Sequence, residues 1–337
     1  MSASMEDNAP DLTEKVGRAW ADFTGYLEEA LSSLTRQARL DLILDPTNSG
    51  TGDAVYDVTI HVPDEDNVRA DASSNATLPG SAQLDRRSVG QLVALGWQPP
   101  GVFDDAQDRF ALSLENTETS KLATIVSRTM RDVFGAPHPA FLTYDYEPGD
   151  GAADTLRLVP ARPVPRPDES LDPNMDDAVS TEVSGSLTSA VATVVAAALH
   201  TTPDHLAIDE HGEISVRSGS AMVFIKPTEQ PAIVDVYSPL LTQVRPNERL
   251  YQELSELTRR LPIGRVYYVD STIWASVPVY GRDFRPRHLM LAVESMTRLA
   301  DELDDRLQDK FGGHRFFDTK PPAAIESDDT PPTGLYL

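Results

Sequence analysis

Apolar residues at Leu12, Val16, Trp20, Phe23, Leu27, Leu31 and Leu34 recur at intervals of three and four, which predicts one amphipathic helix ending near Arg36. The period then changes. "LDLIL" at 40–44 is expected as a strand, and "VYDVTIHV" at 55–62 sets Tyr56, Val58, Ile60 and Val62 against Asp57, Thr59 and His61, the alternation of a half-buried strand. A short strand is expected over Val68–Ala72. "LDRRSVGQLVALGW" predicts a helix capped by Asp85 and closed by Gly96. Phe110, Leu112 and Leu114 alternate as a strand. "TSKLATIVSRTMRDVFG" predicts a second long helix stopped by Gly135, and "FLTYDYE" and "TLRLVPA" two further strands.

From Arg162 to Val183 the chain is rich in proline and carboxylates and has no period, so a solvated linker is expected. "SLTSAVATVVAAALHTT" then predicts a helix. "LAIDEHGEISVR" is expected as a hairpin turning at His211-Gly212, and "AMVFIKPTEQPAIVDVYSPLL" as two strands turning through Lys226-Pro227-Thr228. "NERLYQELSELTRRLP" starts at an Asn247 cap with Leu250, Leu254 and Leu257 on one face. "RVYYVDSTIWASVPVYG" at 265–281 predicts a hairpin joined at Asp270-Ser271. Its second strand has large side chains on both faces: Ile273, Ala275, Val277 and Val279 on one, Trp274 and Tyr280 on the other. Pro278 lacks an N–H and is expected at a sheet edge. Leu289, Val293, Met296, Ala300, Leu303, Leu307 and Phe311 mark a long last helix ended by Gly312-Gly313.

The organisation expected is therefore a disordered start (1–10), an N-terminal unit (11–161), the linker (162–183), a C-terminal unit (184–316) and a flexible tail (317–337). The tail ends in Leu335, Tyr336 and Leu337, which have the makings of a short docking peptide, although a functionless frayed end explains them as well. The fold class is α+β, with two helix-flanked, mainly antiparallel sheets in tandem.

Composition narrows the function. The formal charge is -24, from 29 basic and 53 acidic residues, so phosphate backbones and anionic lipid surfaces are repelled and nucleic acid is not an expected partner. Basic clients suit such a charge. Cysteine is absent, which excludes disulfides, thiolate metal sites and a cysteine nucleophile. The N-terminus has neither the apolar core of a signal peptide nor the basic character of a transit peptide, and no stretch could span a bilayer, so a cytoplasmic protein is expected. Phosphate-binding glycine loops and G-x-S-x-G are missing. His200, His205 and His211 lie near Asp204, Asp209 and Glu210 but lack metal-site spacing and are expected as solvated loop residues. No cofactor, no metal and no catalytic residue is expected.

On "ISVRSGSAMVFIKP", "PAIVDVYSPLL", "NERLYQELSELTRRLP", "GRVYYVDSTIWASVPVY" and the closing helix, the second half resembles the family that unites YbjN-like proteins with type III secretion chaperones. The first half is similar to the domain that precedes it in tandem members, on "QLVALGWQPP", Phe103 and "TSKLATIVSRTMRDVFG". The resemblance implies a twisted antiparallel sheet flanked by helices and a non-enzymatic role in binding peptides or unfolded protein segments. In such a sheet the aliphatic face of 272–280 packs on helices, and Tyr267, Trp274 and Tyr280 face outward as a protein- or peptide-binding surface. Alternatively the first half of the chain, or a second copy in a homodimer, covers that face, and the protein is a scaffold whose tail docks elsewhere. A cryptic enzyme is the weaker third expectation.

Overall fold

The computed structural model describes residues 12–44, 56–64, 66–103, 106–153, 155–163, 186–218 and 221–316. The expectations for 1–10, for nearly all of the linker and for the tail with Leu335, Tyr336 and Leu337 lie outside these residues.

Helix α1 (Leu12–Ser33) follows the predicted stripe and buries Trp20, Phe23, Leu27 and Leu31. The first sheet contains β1 (Arg39–Leu44), β2 (Asp57–His61), β3 (Asn67–Ala72), β4 (Phe110–Glu115), β5 (Leu142–Glu147) and the short β6 (Arg162–Pro163). Its order is β4-β3-β2-β1-β5-β6, antiparallel except where β6 runs parallel to β5. Alternation places Leu40, Leu42, Val58, Ile60, Ala70 and Leu112 on a fully or nearly buried face. The opposite face carries the ion pairs Arg39–Asp41 (2.9 Å), Arg69–Asp71 (3.1 Å) and Arg109–Asp57 (2.6 Å).

Helix α2 (Arg86–Leu95) starts at Asp85, whose side chain accepts from the Ser88 N–H, and ends at Gly96 with φ 106°. Helix α3 (Thr119–Arg128) does not run to Gly135 as a regular helix. At Thr129–Val133 it widens into a π turn, where buried Thr129 accepts the indole N–H of Trp97 at 2.9 Å. "TLRLVPA" alternates but forms no strand. Its Leu156 and Leu158 are buried, and the Leu156 carbonyl accepts from the Tyr144 hydroxyl at 2.8 Å. The strand beside β5 is instead Arg162–Pro163, at the start of the expected linker.

The second sheet is built from β7 (Ile214–Ser218), β8 (Ala221–Glu229), β9 (Ala232–Thr242), β10 (Arg265–Val269) and β11 (Thr272–Tyr280), in the order β10-β11-β9-β8-β7. A short β12 (His314–Arg315) also pairs with β9. Helices α4 (Leu187–Ala198), α5 (Glu248–Arg260) and α6 (Pro286–Phe311) cover one face, packing Val191, Leu254, Met296 and Leu303 against Val223, Val234, Ile273, Ala275 and Val279. Both residues of the Asp270-Ser271 turn have positive φ (48° and 61°). Two turns differ from expectation. Lys226-Pro227-Thr228 stays in β8, paired with Asp235, Val234 and Ile233, and the chain reverses at Gln230-Pro231. The 206–217 hairpin shrinks to one bridge, Ile208 to Ile214, because the Asp209 side chain accepts from the His211 and Glu213 N–H groups (both 2.8 Å) and rounds off the turn.

The sheet edges are guarded unevenly. The Thr258 hydroxyl of α5 accepts from the Val266 N–H (2.9 Å) and donates to its carbonyl (3.0 Å), which blocks pairing on the outer side of β10. Strand β11 lies inside the sheet rather than at its edge, but β10 ends opposite Ser276, so residues 277–280 have β9 on one side only. Gly281 donates to the Ala232 carbonyl on β9. By alternation Pro278 faces the open side, where its missing N–H costs nothing.

Gly264, at φ 100°, makes the tight entry to β10, and an added Cβ would lie 2.5 Å from the Ser276 carbonyl. Gly264→Ala is expected to lower stability by about 1–3 kcal/mol in urea denaturation. A neutral result would mean that the β10–β11 hairpin relaxes freely there.

Candidate functional site

The face of the second sheet turned away from its helices is divided into three rows. In the first, Phe224, Tyr237 and Trp274 form an aromatic cluster, with centroids 5.4 Å (Phe224–Tyr237), 5.8 Å (Tyr237–Trp274) and 6.4 Å (Phe224–Trp274) apart. These rings and Met222 are buried in one continuous core with residues of the N-terminal half. Lys15 of α1 places its ammonium 5.4 Å from the Phe224 centroid and 5.6 Å from that of Tyr237.

The second row is polar and crosses all five strands. Extending the β7–β8 register by one residue sets Glu213 beside Lys226. Lys226 pairs with Asp235, and Ser276 pairs with Arg265, which donates to the Ser276 hydroxyl at 3.1 Å. Negative and positive groups thus alternate across the sheet, each beside an opposite charge or a hydroxyl. Glu213 is 5% exposed. It bridges the halves of the chain by accepting from Lys15 and from the Tyr237 hydroxyl. Burial, followed by the Glu213 charge, pushes the Tyr237 phenol strongly up, so it stays protonated and donates. Burial also raises Asp235, against the pull of Arg265 and Lys226. Burial and then the Asp235 charge push Tyr267 up to about 12.

A cleft of about 490 Å³ lies over this row, roofed by α1 and floored by Lys226, Asp235, Tyr237, Arg265 and Tyr267. His138, in the "APHPAF" turn, forms part of its wall. Beyond the polar row the face opens. Pro278 is exposed, Ile233 half-buried, and Tyr280 is 82% exposed.

The predicted residues therefore separate. The aliphatic face of β11 does pack on the helices. Tyr280 faces outward, as expected. Tyr267 is half-buried against the N-terminal core, with the Arg265 guanidinium 5.1 Å from its ring. Trp274 does not face outward: it is 1% exposed, covered by the N-terminal half of the same chain. Sequence reasoning did not select Lys15, His138, Glu213, Tyr237 or Arg265. Tyr237 could have been found, because Ile233, Asp235 and Tyr237 alternate on the face of "PAIVDVYSPLL" that leaves Val234 and Val236 for the helices. Among the described residues no group of three or more histidine, aspartate or glutamate side chains could hold a metal ion, and His205 instead contacts the Thr202 hydroxyl at 2.8 Å. Also among them, no helix is long and apolar enough to cross a membrane.

Residues 13–148 match the family described as "T3SS (YopN, CesT) and YbjN peptide-binding chaperone 3", and residues 185–319 match "T3SS (YopN, CesT) and YbjN peptide-binding chaperone 1". The chain belongs to the T3SS and YbjN peptide-binding chaperones. It is a tandem chaperone of that family, and the family is one of chaperones rather than of enzymes. A solved structure titled "Crystal Structure of the ExsC-ExsE Complex" is similar at 13% identity and a TM-score of 0.31, over 36% of this tandem chaperone and 96% of that chain. No curated protein matches it.

Proposed function

We propose that the protein is a cytoplasmic peptide-binding chaperone or adaptor that holds a client segment on the outer face of its C-terminal sheet, from the polar row to Tyr280. The observation that carries this reading is the division of that face. Its aromatic row is closed by the N-terminal half, while the end bearing Tyr280 and the half-open edge of 277–280 is left to solvent. An exposed tyrosine beside an unpaired strand edge suits an extended segment, which can add main-chain hydrogen bonds while its side chains meet the ring. Trp274 and Tyr237 then form the support beneath the site, and Tyr267 borders it.

The scaffold reading draws on the same closed row, since Lys15–Glu213, Arg18–Glu210 (3.0 Å) and the Arg162 donation to the Arg217 carbonyl (2.7 Å) tie the two halves together. The two readings part at Tyr280, which scaffolding does not use. On an array of short peptides, Tyr280→Ala is expected to lower retained signal about tenfold or more, with stability unchanged to within about 0.5 kcal/mol. Equal retention by a folded Tyr280→Ala variant would leave the scaffold reading standing.

A further inference from the structure

The cleft over the polar row contains a donor with nothing to bind. His138 is 1% exposed, and burial pushes its pKa down to about 3, so the ring is neutral. Its Nδ1 accepts the Ala140 N–H at 3.1 Å, so the proton of the neutral ring sits on Nε2. That nitrogen is buried and has no hydrogen-bond partner. Buried donors are rarely left so, because an unmade bond there forfeits the whole cost of removing the group from water. Other polar groups of the cleft are already engaged. Glu213 takes Lys15 and Tyr237, Arg18 bridges Glu14 and Glu210, and Asp209 accepts two backbone N–H groups.

We propose that His138 donates from Nε2 to a backbone carbonyl of an extended peptide segment with basic flanks, laid along the cleft between α1 and the C-terminal sheet. This rests on the peptide-binding reading above and extends it to a named contact and client chemistry. The space, about 490 Å³, is of the size that holds small ligands or a few residues of peptide. A carbonyl fits better than a carboxylate. The donor is neutral, and five carboxylates line the cleft against four lysine and arginine side chains, so an added anion meets net repulsion. Basic flanks follow from Asp22, exposed at the lip, and from the -24 charge of the chain, which draws cations toward any of its clefts.

The test is a long-range 1H–15N correlation spectrum of the histidine side chains in the full-length protein, with the His138 signals assigned by their loss in His138→Gln. The probes are Ac-Lys-Leu-Ala-Leu-Ala-Lys-NH2, the same peptide with both lysines replaced by glutamate, and sodium acetate. The lysine peptide is expected to move the Nε2 resonance while the glutamate peptide and acetate leave it in place, and His138→Gln should bind the lysine peptide roughly fivefold more weakly. The wild-type titration decides the matter even where His138→Gln does not fold. If the lysine peptide binds in a Tyr280-dependent manner and the His138 resonance stays still, as a resident buried water would hold it, the inference falls and the peptide-binding reading survives. If acetate moves the resonance equally, the cleft is an anion site and the inference is overturned. If no peptide binds, both fall.

Discussion

Trp274→Ala is expected to lower stability by about 3–5 kcal/mol in urea denaturation, the usual cost of emptying a large buried aromatic site. The side chain is 1% exposed and is held between Phe224 and Tyr237 in a core shared with the N-terminal half. The cavity therefore opens where the two halves meet, and the variant should unfold over a broader or divided transition as the halves come apart at different urea concentrations. Tyr280→Ala, on the same strand and the same face, should unfold like wild type because its ring is 82% exposed. A Trp274→Ala variant as stable as Tyr280→Ala would mean that the aromatic row is not closed as described.

The second large effect is expected at the charge bridge. Removing Lys15 leaves Glu213, 5% exposed, with the Tyr237 hydroxyl as its remaining side-chain partner among those described. A buried carboxylate so stranded costs about 3–5 kcal/mol. Lys15→Ala should fall near the lower end of that range, because the Lys15 side chain is 22% exposed and its ammonium keeps some water. Apolar replacement of the whole network, K15M/E213L/Y237F, removes every group that needs a partner. That variant is expected within about 1 kcal/mol of wild type or above it. Should the triple variant prove less stable than Lys15→Ala, the bridge contributes net attraction well beyond its own desolvation.

Much of the fold was legible because period and punctuation agreed. The stripe from Leu12, the alternation in β2, the Asp85 cap with Gly96, the Asp270-Ser271 turn and the stripe from Leu289 each specify an element by local rules. The failures were also physical. Alternation in "TLRLVPA" reported burial of Leu156 and Leu158, but burial does not require a ladder, and β5 takes Arg162–Pro163 as its neighbour instead. Pro227 suggested a turn, yet it occupies a buried strand position opposite Val234.

The candidate site was less legible. The sequence showed that Trp274 and Tyr280 share a face, but not that the N-terminal half ends its cover between them. The polar row is assembled from five strands by register, so Glu213, Lys226, Asp235, Ser276 and Arg265 have no common spacing along the chain. His138 comes from a short turn of the other half, and only its burial and its unpartnered Nε2 mark it out.

The most direct check is the emission of Trp274 in the intact protein, taken as the difference between wild type and Trp274→Phe, under increasing acrylamide. Cover by the N-terminal half predicts blue-shifted difference emission that acrylamide barely quenches, with or without a client peptide bound at Tyr280. Red-shifted emission, strongly quenched until a client is added, would contradict the account by making the aromatic row the free binding surface.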